Sequence, residues 1–530
     1  MKEKMEAIVD RYRPEAGDGK KWTIMVYLAG SNNLVDEMVY AVRELRGKAI
    51  TDVVNLFVQF DTGSDVWLFP PSAFQTKPNE NPTKLENFDL ERVGEREDYP
   101  RLITTQGILR RFVTTCMLAS VTDHYMLILS GHGSGAVGDF LLGTTTALTI
   151  PALGRTFDTV KESLYKRNHP RGRNDARLFD ILGLDSCTMS MAEIGYEVES
   201  HVDYMIGAEG FEFSTGWPYD RLISLNLLKT PCELAVDIVK TYCDYYFNYS
   251  IGDLSTDQSA LILKDFSKTL KPIVAELARA LSGALGDRPT REAILVSHYA
   301  AQSYKIEQYT DLWDFCDQLK LRFPKGQHIY SVAQAVQDAI DKAVLISTYS
   351  GARFQHSHGI AIYFPWADII DAKGGHDLSA YRLLKFARES GWADFLQSYF
   401  QSTQRPPRNV PGEDVPKSSR LNARPGLFGT YAEEFGLGGA PGQAKGGAPE
   451  DSRGGAPEDS RGGAPEDSRG GAPEDSRGGA PEDSRSGLAA NSNSDAQLLY
   501  LKIGQMKNPP TKWFPCDVDG EVKRGEDKCK

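Results

Sequence analysis

Two strand-end motifs carry side chains that could do covalent chemistry. The first is Tyr125-Met126-Leu127-Ile128-Leu129-Ser130-Gly131-His132-Gly133-Ser134-Gly135. The second is Leu178-Phe179-Asp180-Ile181-Leu182-Gly183-Leu184-Asp185-Ser186-Cys187. One apolar run ends on a histidine among glycines and the other on a cysteine. Delivered to one edge, a cysteine and a histidine supply a nucleophile and its proton-transfer partner. A buried cysteine is by itself an ordinary core residue. Cys187 departs from that pattern in three ways. It follows a strand end, it has His132 55 positions upstream, and it precedes a helix start whose dipole would favour a thiolate. Glycines at 131, 133 and 135 leave the backbone free to approach a substrate carbonyl. The backbone N–H groups of Gly133 and Cys187 would then form an oxyanion hole.

Asp185 could be a turn former or, two residues before the nucleophile, a wall of the substrate pocket. A carboxylate there would select an Arg or Lys side chain. The loop from Glu209 to Asp220 adds acids and aromatics, with Glu209, Glu212, Trp217 and Asp220 as candidates for a second wall. Spacing does not decide which of the acids points inward. A His356/His358 pair is a weak metal pattern, and Asp517-Val518-Asp519-Gly520-Glu521 is only a fragment of a calcium loop.

The elements that must position these residues follow from hydrophobic periodicity. Continuous apolar runs read as buried parallel strands, at Trp22–Ala29, Val53–Phe60, the two motifs above, and Tyr204–Ala208. Helical patterns fall at Leu34–Leu45, with Asn32 or Asn33 as N-cap, and at Thr104–Ser120. Ser190-x-x-Glu193 resembles a capping box for a helix over Met191–Glu199. Residues 62–100 read as loop or hairpin. Strands alternating with helices predict an α/β fold with a mainly parallel sheet and helices on both faces. From 229 to 401 helical periods dominate, with a late strand at Gly359–Phe364 and a helix at Trp392–Tyr399. The organisation reads as a mobile tail (1–19), a catalytic core (20–228), a mostly helical C-terminal subdomain (229–401), a disordered linker (402–495) and a C-terminal tail (496–530). Residues 446–485 are five copies of Gly-Gly-Ala-Pro-Glu-Asp-Ser-Arg. A unit with no large apolar side chain cannot bury a core, which excludes a solenoid.

Bulk properties narrow the function. The chain has 530 residues and a formal net charge of −12, which argues against nucleic acid or an anionic membrane surface as partner. No apolar run is long enough to span a bilayer. Seven cysteines without zinc-ligand spacing argue against structural zinc. They fit unpaired thiols in a reducing compartment, although Cys516 and Cys529 could pair if oxidised. The charged N-terminus shows no secretory signal, which points to the cytoplasm.

Taken in order, several blocks resemble a known family. They are Lys21–Ala29 with Asn32-Asn33-Leu34, Ser130-Gly131-His132-Gly133, Asp185-Ser186-Cys187, Gly216-Trp217-Pro218-Tyr219, Tyr309-Thr310-Asp311-Leu312, and His358–Pro365. Together they resemble the clostripain-like cysteine peptidases, family C11 of clan CD, over roughly residues 20–400. The resemblance implies a caspase-like three-layer fold and a Cys187–His132 dyad with Asp185 in the pocket for a basic P1 residue. It implies cleavage of polypeptides after Arg or Lys. It also implies a monomer nicked into two chains between the His and Cys strands, calcium as activator and, in many members, export. The alternative is a catalytically silent caspase-like binding or scaffold protein. The repeats and tail have no counterpart in the family pattern.

Overall fold

The computed structural model describes residues 20–403, apart from 47–52, 63–65, 75–94, 98–103, 139, 142–146, 248–254, 305–307, 351–353 and 371–376, together with Cys529. The expected N-terminal tail, the repeat linker and all but Cys529 of the C-terminal tail lie outside the described residues. The strands are β1 (Trp22–Ala29), β2 (Val54–Asp61), β3 (Val66–Phe69), β4 (Glu95–Glu97), β5 (His124–Ser130), β6 (Phe179–Asp185), β7 (Val202–Gly207), β8 (Thr256–Ile262), β9 (Ser303–Tyr304), β10 (Tyr309–Asp311), β11 (Val344–Ser350) and β12 (Ala361–Tyr363). A nine-stranded sheet runs β11-β8-β7-β6-β5-β1-β2-β3-β4. Its central strands, β7 through β2, pair in parallel. The flanks are antiparallel, and β2-β3-β4 forms the turn-back expected in 62–100.

Both faces of the sheet are covered because its central strands are apolar on both faces. In β1, Met25, Tyr27 and Ala29 join one core cluster, and Trp22, Ile24, Val26 and Leu28 join the other. The second face is covered by α1 (Val35–Arg46), whose Met38, Ala41, Val42 and Leu45 form one apolar stripe. On the first face lie α2 (Thr105–Ala119), α3 (Ile150–Tyr165) and α4 (Ala192–Val198). After the short α5 (Tyr219–Leu222), α6 (Pro231–Phe247) packs beside α1 on the second face. The expected α/β three-layer sandwich is therefore observed. The sheet also crosses residue 228, because β8 and β11 come from the C-terminal half and extend it.

The remaining helices are α7 (Phe266–Ala284), α8 (Arg288–Ala300), α9 (Leu312–Arg322), α10 (His328–Ala343), α11 (Asp377–Tyr381), α12 (Lys385–Ser390) and α13 (Trp392–Thr403). A small sheet, β12-β10-β9, sits with them. It is tied to the N-terminal half at Ala361, whose N–H donates to Ser190 O at 3.0 Å. No described helix is long and apolar enough to cross a membrane.

Two local expectations fail. Ser190 and Glu193 do not form a capping box. Ser190 Oγ donates to Gly359 O at 2.7 Å, and Glu193 accepts from Tyr363 N–H and Tyr381 OH, each at 2.9 Å. Both side chains are spent on tertiary contacts, and the N-cap of α4 is Met191, with no side-chain cap. The unpaired-thiol reading also fails at one pair. Cys232, in α6, is disulfide-bonded to Cys529 across a separation of 297 residues, while Cys116, Cys187, Cys243 and Cys316 are buried thiols outside any disulfide. Alkylation of the denatured chain before reduction should therefore leave Cys232 and Cys529 unmodified in peptide maps. Modification of both would contradict the pairing.

Candidate active site

β5 and β6 run in parallel register with Ser130 beside Asp185. The pairing continues one step further, because Gly131 N–H donates to Asp185 O at 3.2 Å. His132 and Cys187 each lie two residues beyond that pair, so the register carries both positions to the same carboxyl edge. At Gly133 a Cβ would collide with Cys187 O and lie 2.9 Å from Ser186 Cβ, so the close approach requires glycine. The two backbones are thus in contact there.

After Cys187 the chain turns sharply. Thr188 has φ 57°, a left-handed conformation that costs a β-branched residue about 1–3 kcal/mol. Two hydrogen bonds to the extension of β7 hold it: Thr188 N–H to Gly210 O at 2.7 Å, and Ser190 N–H to Ala208 O at 2.8 Å. The helix expected to activate the thiol does not do so. α4 begins only at Ala192 and has seven residues, too short and too distant for its dipole to act on the sulfur. The sulfur instead contacts Glu212, whose N–H donates to Sγ at 3.4 Å and whose carbonyl accepts from it at 3.8 Å. With Cys187 only 3 % exposed, burial pushes its thiol up to about 12.

His132 is equally enclosed, at 5 % exposure. Its Nε2 lies 2.7 Å from Asn33 Oδ1. Its Nδ1 is buried and has no hydrogen-bond partner among the described residues. Burial lowers the imidazole to about 4. The resting pair is therefore a neutral thiol and a neutral imidazole, not an ion pair.

Beneath them lies a carboxyl pair. Asp185 Oδ2 accepts from Ser130 Oγ and Tyr219 OH, each at 2.7 Å. Glu212 Oε1 accepts from Gln258 Nε2 at 2.9 Å and Trp217 Nε1 at 3.3 Å. Burial raises the Asp185 carboxyl, and burial together with the Asp185 charge holds Glu212 well above the carboxylate range. Glu212 is thus the member of the pair held protonated, and its carboxyl hydrogen-bonds Asp185. Gly216, with φ 68°, passes over this pair, and a Cβ there would sit 2.9 Å from Asp185 Oδ2.

The other candidates go elsewhere. Trp217 is fully buried and supports Glu212; a Cβ at Gly183 would come 2.8 Å from its ring. Glu209 turns away from the carboxyl pair. Its Oε2 accepts from Gly359 N–H at 2.6 Å, and its neighbours are Asp257 and Asp311. Asp220 is half-buried. Sequence gives Ser130, Tyr219 and Gln258 no role at this site, and gives Asn33 only that of a candidate N-cap. Tyr219 ends a quoted motif and Ser130 a strand, but neither type marks a pocket by itself.

No group of three or more His, Cys, Asp or Glu among the described residues could hold a metal. In the richest acid cluster the carboxylates are already used by the backbone. Asp257 accepts from Glu209 N–H and Gly210 N–H, Asp311 from Asp314 N–H and His358 N–H, and Asp314 from Gln302 N–H. These residues do not fit calcium. His358 stacks on Trp313, and the calcium-loop fragment lies outside the described residues.

The neutral pair has a kinetic signature. Only the thiolate alkylates readily, so iodoacetamide modification of Cys187 in the resting protein should rise about tenfold per pH unit from pH 6 to 9. A plateau near neutrality, as an ion pair gives, would contradict it.

Comparison with known proteins places the chain. Clostripain from Hathewaya histolytica is 22 % identical over 222 residues, covering 38 % of this chain and 41 % of that protein. The chain thus matches less than half the length of this curated relative. A secreted C11 cysteine protease from Bacteroides thetaiotaomicron, solved with an irreversible peptide inhibitor, is 17 % identical, with a TM-score of 0.48 over 71 % of this chain and 99 % of its own. An inactive zymogen C11 protease from Parabacteroides distasonis is 16 % identical, with a TM-score of 0.47 over 70 % of this chain and 98 % of its own. The sequence model of the clostripain family, Peptidase_C11, matches residues 26–399, and the chain belongs to that family.

Proposed function

We propose that the protein is a cysteine endopeptidase that cleaves after Arg or Lys through Cys187 and His132. The observation that supports it is the β5–β6 register, which ends both strands at one edge, with Glu212 and Asp185 close to Cys187. Cys187 Sγ attacks the scissile carbonyl carbon, and its proton passes by way of His132 to the leaving amine. The N–H groups of Gly133 and Cys187 hold the oxyanion. The C–N bond breaks, the amine leaves, and the acyl group stays on sulfur as a thioester. Water then adds to the acyl carbon, giving its proton to His132. The C–S bond breaks and the proton returns to Sγ. A guanidinium or ammonium at P1 meets the carboxyl pair of Asp185 and Glu212. The Cys232–Cys529 disulfide supports an oxidising compartment, and so export, over the cytoplasm.

Maturation by self-cleavage between the two strands is part of this reading. Arg155 and Lys161 lie within α3, Arg171 is held by Asp180 at 2.7 Å, and Arg177 is half-buried beside Asp203 at 3.8 Å. That leaves Lys166, Arg167 and Arg173, exposed in the connection, as cutting points. A silent scaffold is the second reading, and the burial of Cys187 and His132 favours it.

Turnover of a blocked-arginine peptide separates the two. Cys187→Ala and His132→Ala should each lose at least about 1000-fold in kcat. Unchanged turnover in either would refute the dyad, and no turnover by wild type would favour the scaffold. Asp185→Asn should lose at least about tenfold of the preference for basic over neutral P1; full retention would remove it from the pocket. Mass spectrometry of the same samples should show cuts after Lys166, Arg167 or Arg173 in wild type only. Identical fragments in Cys187→Ala would refute autolysis.

A further inference from the structure

The turn after β1 holds two adjacent asparagines with different tasks. Asn32 satisfies the turn itself: its Oδ1 accepts from Leu34 N–H at 2.8 Å, and its Nδ2 donates to Ala29 O at 3.0 Å. The side chain of Asn33 is not needed for that. It reaches across the edge of the sheet to His132, with Oδ1 2.7 Å from Nε2. This contact joins β1 to β5, neighbours paired as Leu28 beside Ser130.

We propose that Asn33 is a positioning residue that fixes the tautomer and orientation of His132. The inference rests on the dyad reading above. Asn33 Oδ1 is an acceptor only, so the facing Nε2 must carry the ring proton. In a neutral imidazole the lone pair then lies on Nδ1. Nδ1 is the nitrogen that is buried without a partner among the described residues. A buried acceptor left unpartnered is costly, and it is the atom free to exchange a proton with the thiol and the leaving amine. When Nδ1 takes that proton the ring becomes a cation, and the Asn33 carbonyl stabilises it from the far side through Nε2–H. Without Asn33 the ring can rotate or adopt the other tautomer, which places a proton on Nδ1 and blocks it as a base.

Asn33 is exposed, so its substitution leaves the core intact. The test is steady-state turnover of a blocked-arginine peptide across pH by wild type, Asn33→Ala, Asn33→Asp and His132→Ala. Asn33→Ala should lower kcat by about 10- to 100-fold with KM within about twofold of wild type. Asn33→Asp keeps an acceptor of the same length and adds charge. It should recover most of the loss and move the acid limb of kcat/KM upward by about one pH unit. An Asn33→Ala enzyme within twofold of wild type would overturn the proposal. So would an Asn33→Asp enzyme as slow as Asn33→Ala with an unmoved pH profile, which would mark a merely structural role. If His132→Ala is inactive while Asn33→Ala is normal, this inference alone fails. If His132→Ala is fully active, the dyad reading fails with it.

Discussion

The parallel pairing of β5 with β6 is the constraint on which the rest depends. Parallel strands have evenly spaced hydrogen bonds and a fixed register. Placing Ser130 opposite Asp185 therefore decides what lies two residues further along both chains. A slip of one residue would turn the side chains to the other face and separate His132 from Cys187. The register is secured by apolar packing on both faces. It is secured again at its end, where Ser130 Oγ donates to Asp185 Oδ2 across the two strands. The same side-chain bond that pins the strands also orients the Asp185 carboxyl.

The site built on that register is closed to water. Burial keeps the thiol protonated and the imidazole neutral, and it keeps a proton between Asp185 and Glu212. Each of these groups would be costly to hold charged and unpaired away from water. In the proposed reading, a basic P1 side chain is the charge that the carboxyl pair lacks. In that reading, substrate binding and ionisation of the carboxyl pair would be coupled.

Much of this was legible in the sequence because it depends on local pattern. The apolar runs ending at His132 and Cys187 are buried on both faces and so read continuously, and Asp185 is fixed by its distance from Cys187. What was not legible depends on long-range pairing. Glu209 and Glu212 are three residues apart in one loop. Only the partners Gly359 and Gln258 show that the first serves the C-terminal segment and the second the pocket. Ser190 and Glu193 have capping-box spacing, but Gly359 and Tyr363 claim them first. Asn32 and Asn33 are indistinguishable as N-caps until His132 is placed beside one of them. The Cys232–Cys529 bond joins positions that no spacing rule connects.

The central claim is that Cys187 is the nucleophile of a site that recognises a basic side chain. Its most direct test is peptide mapping after reaction with an arginyl chloromethyl ketone. The account predicts a single adduct, on Cys187, suppressed by excess arginine peptide. An unlabelled Cys187, or labelling of Cys116, Cys243 or Cys316 instead, would contradict it.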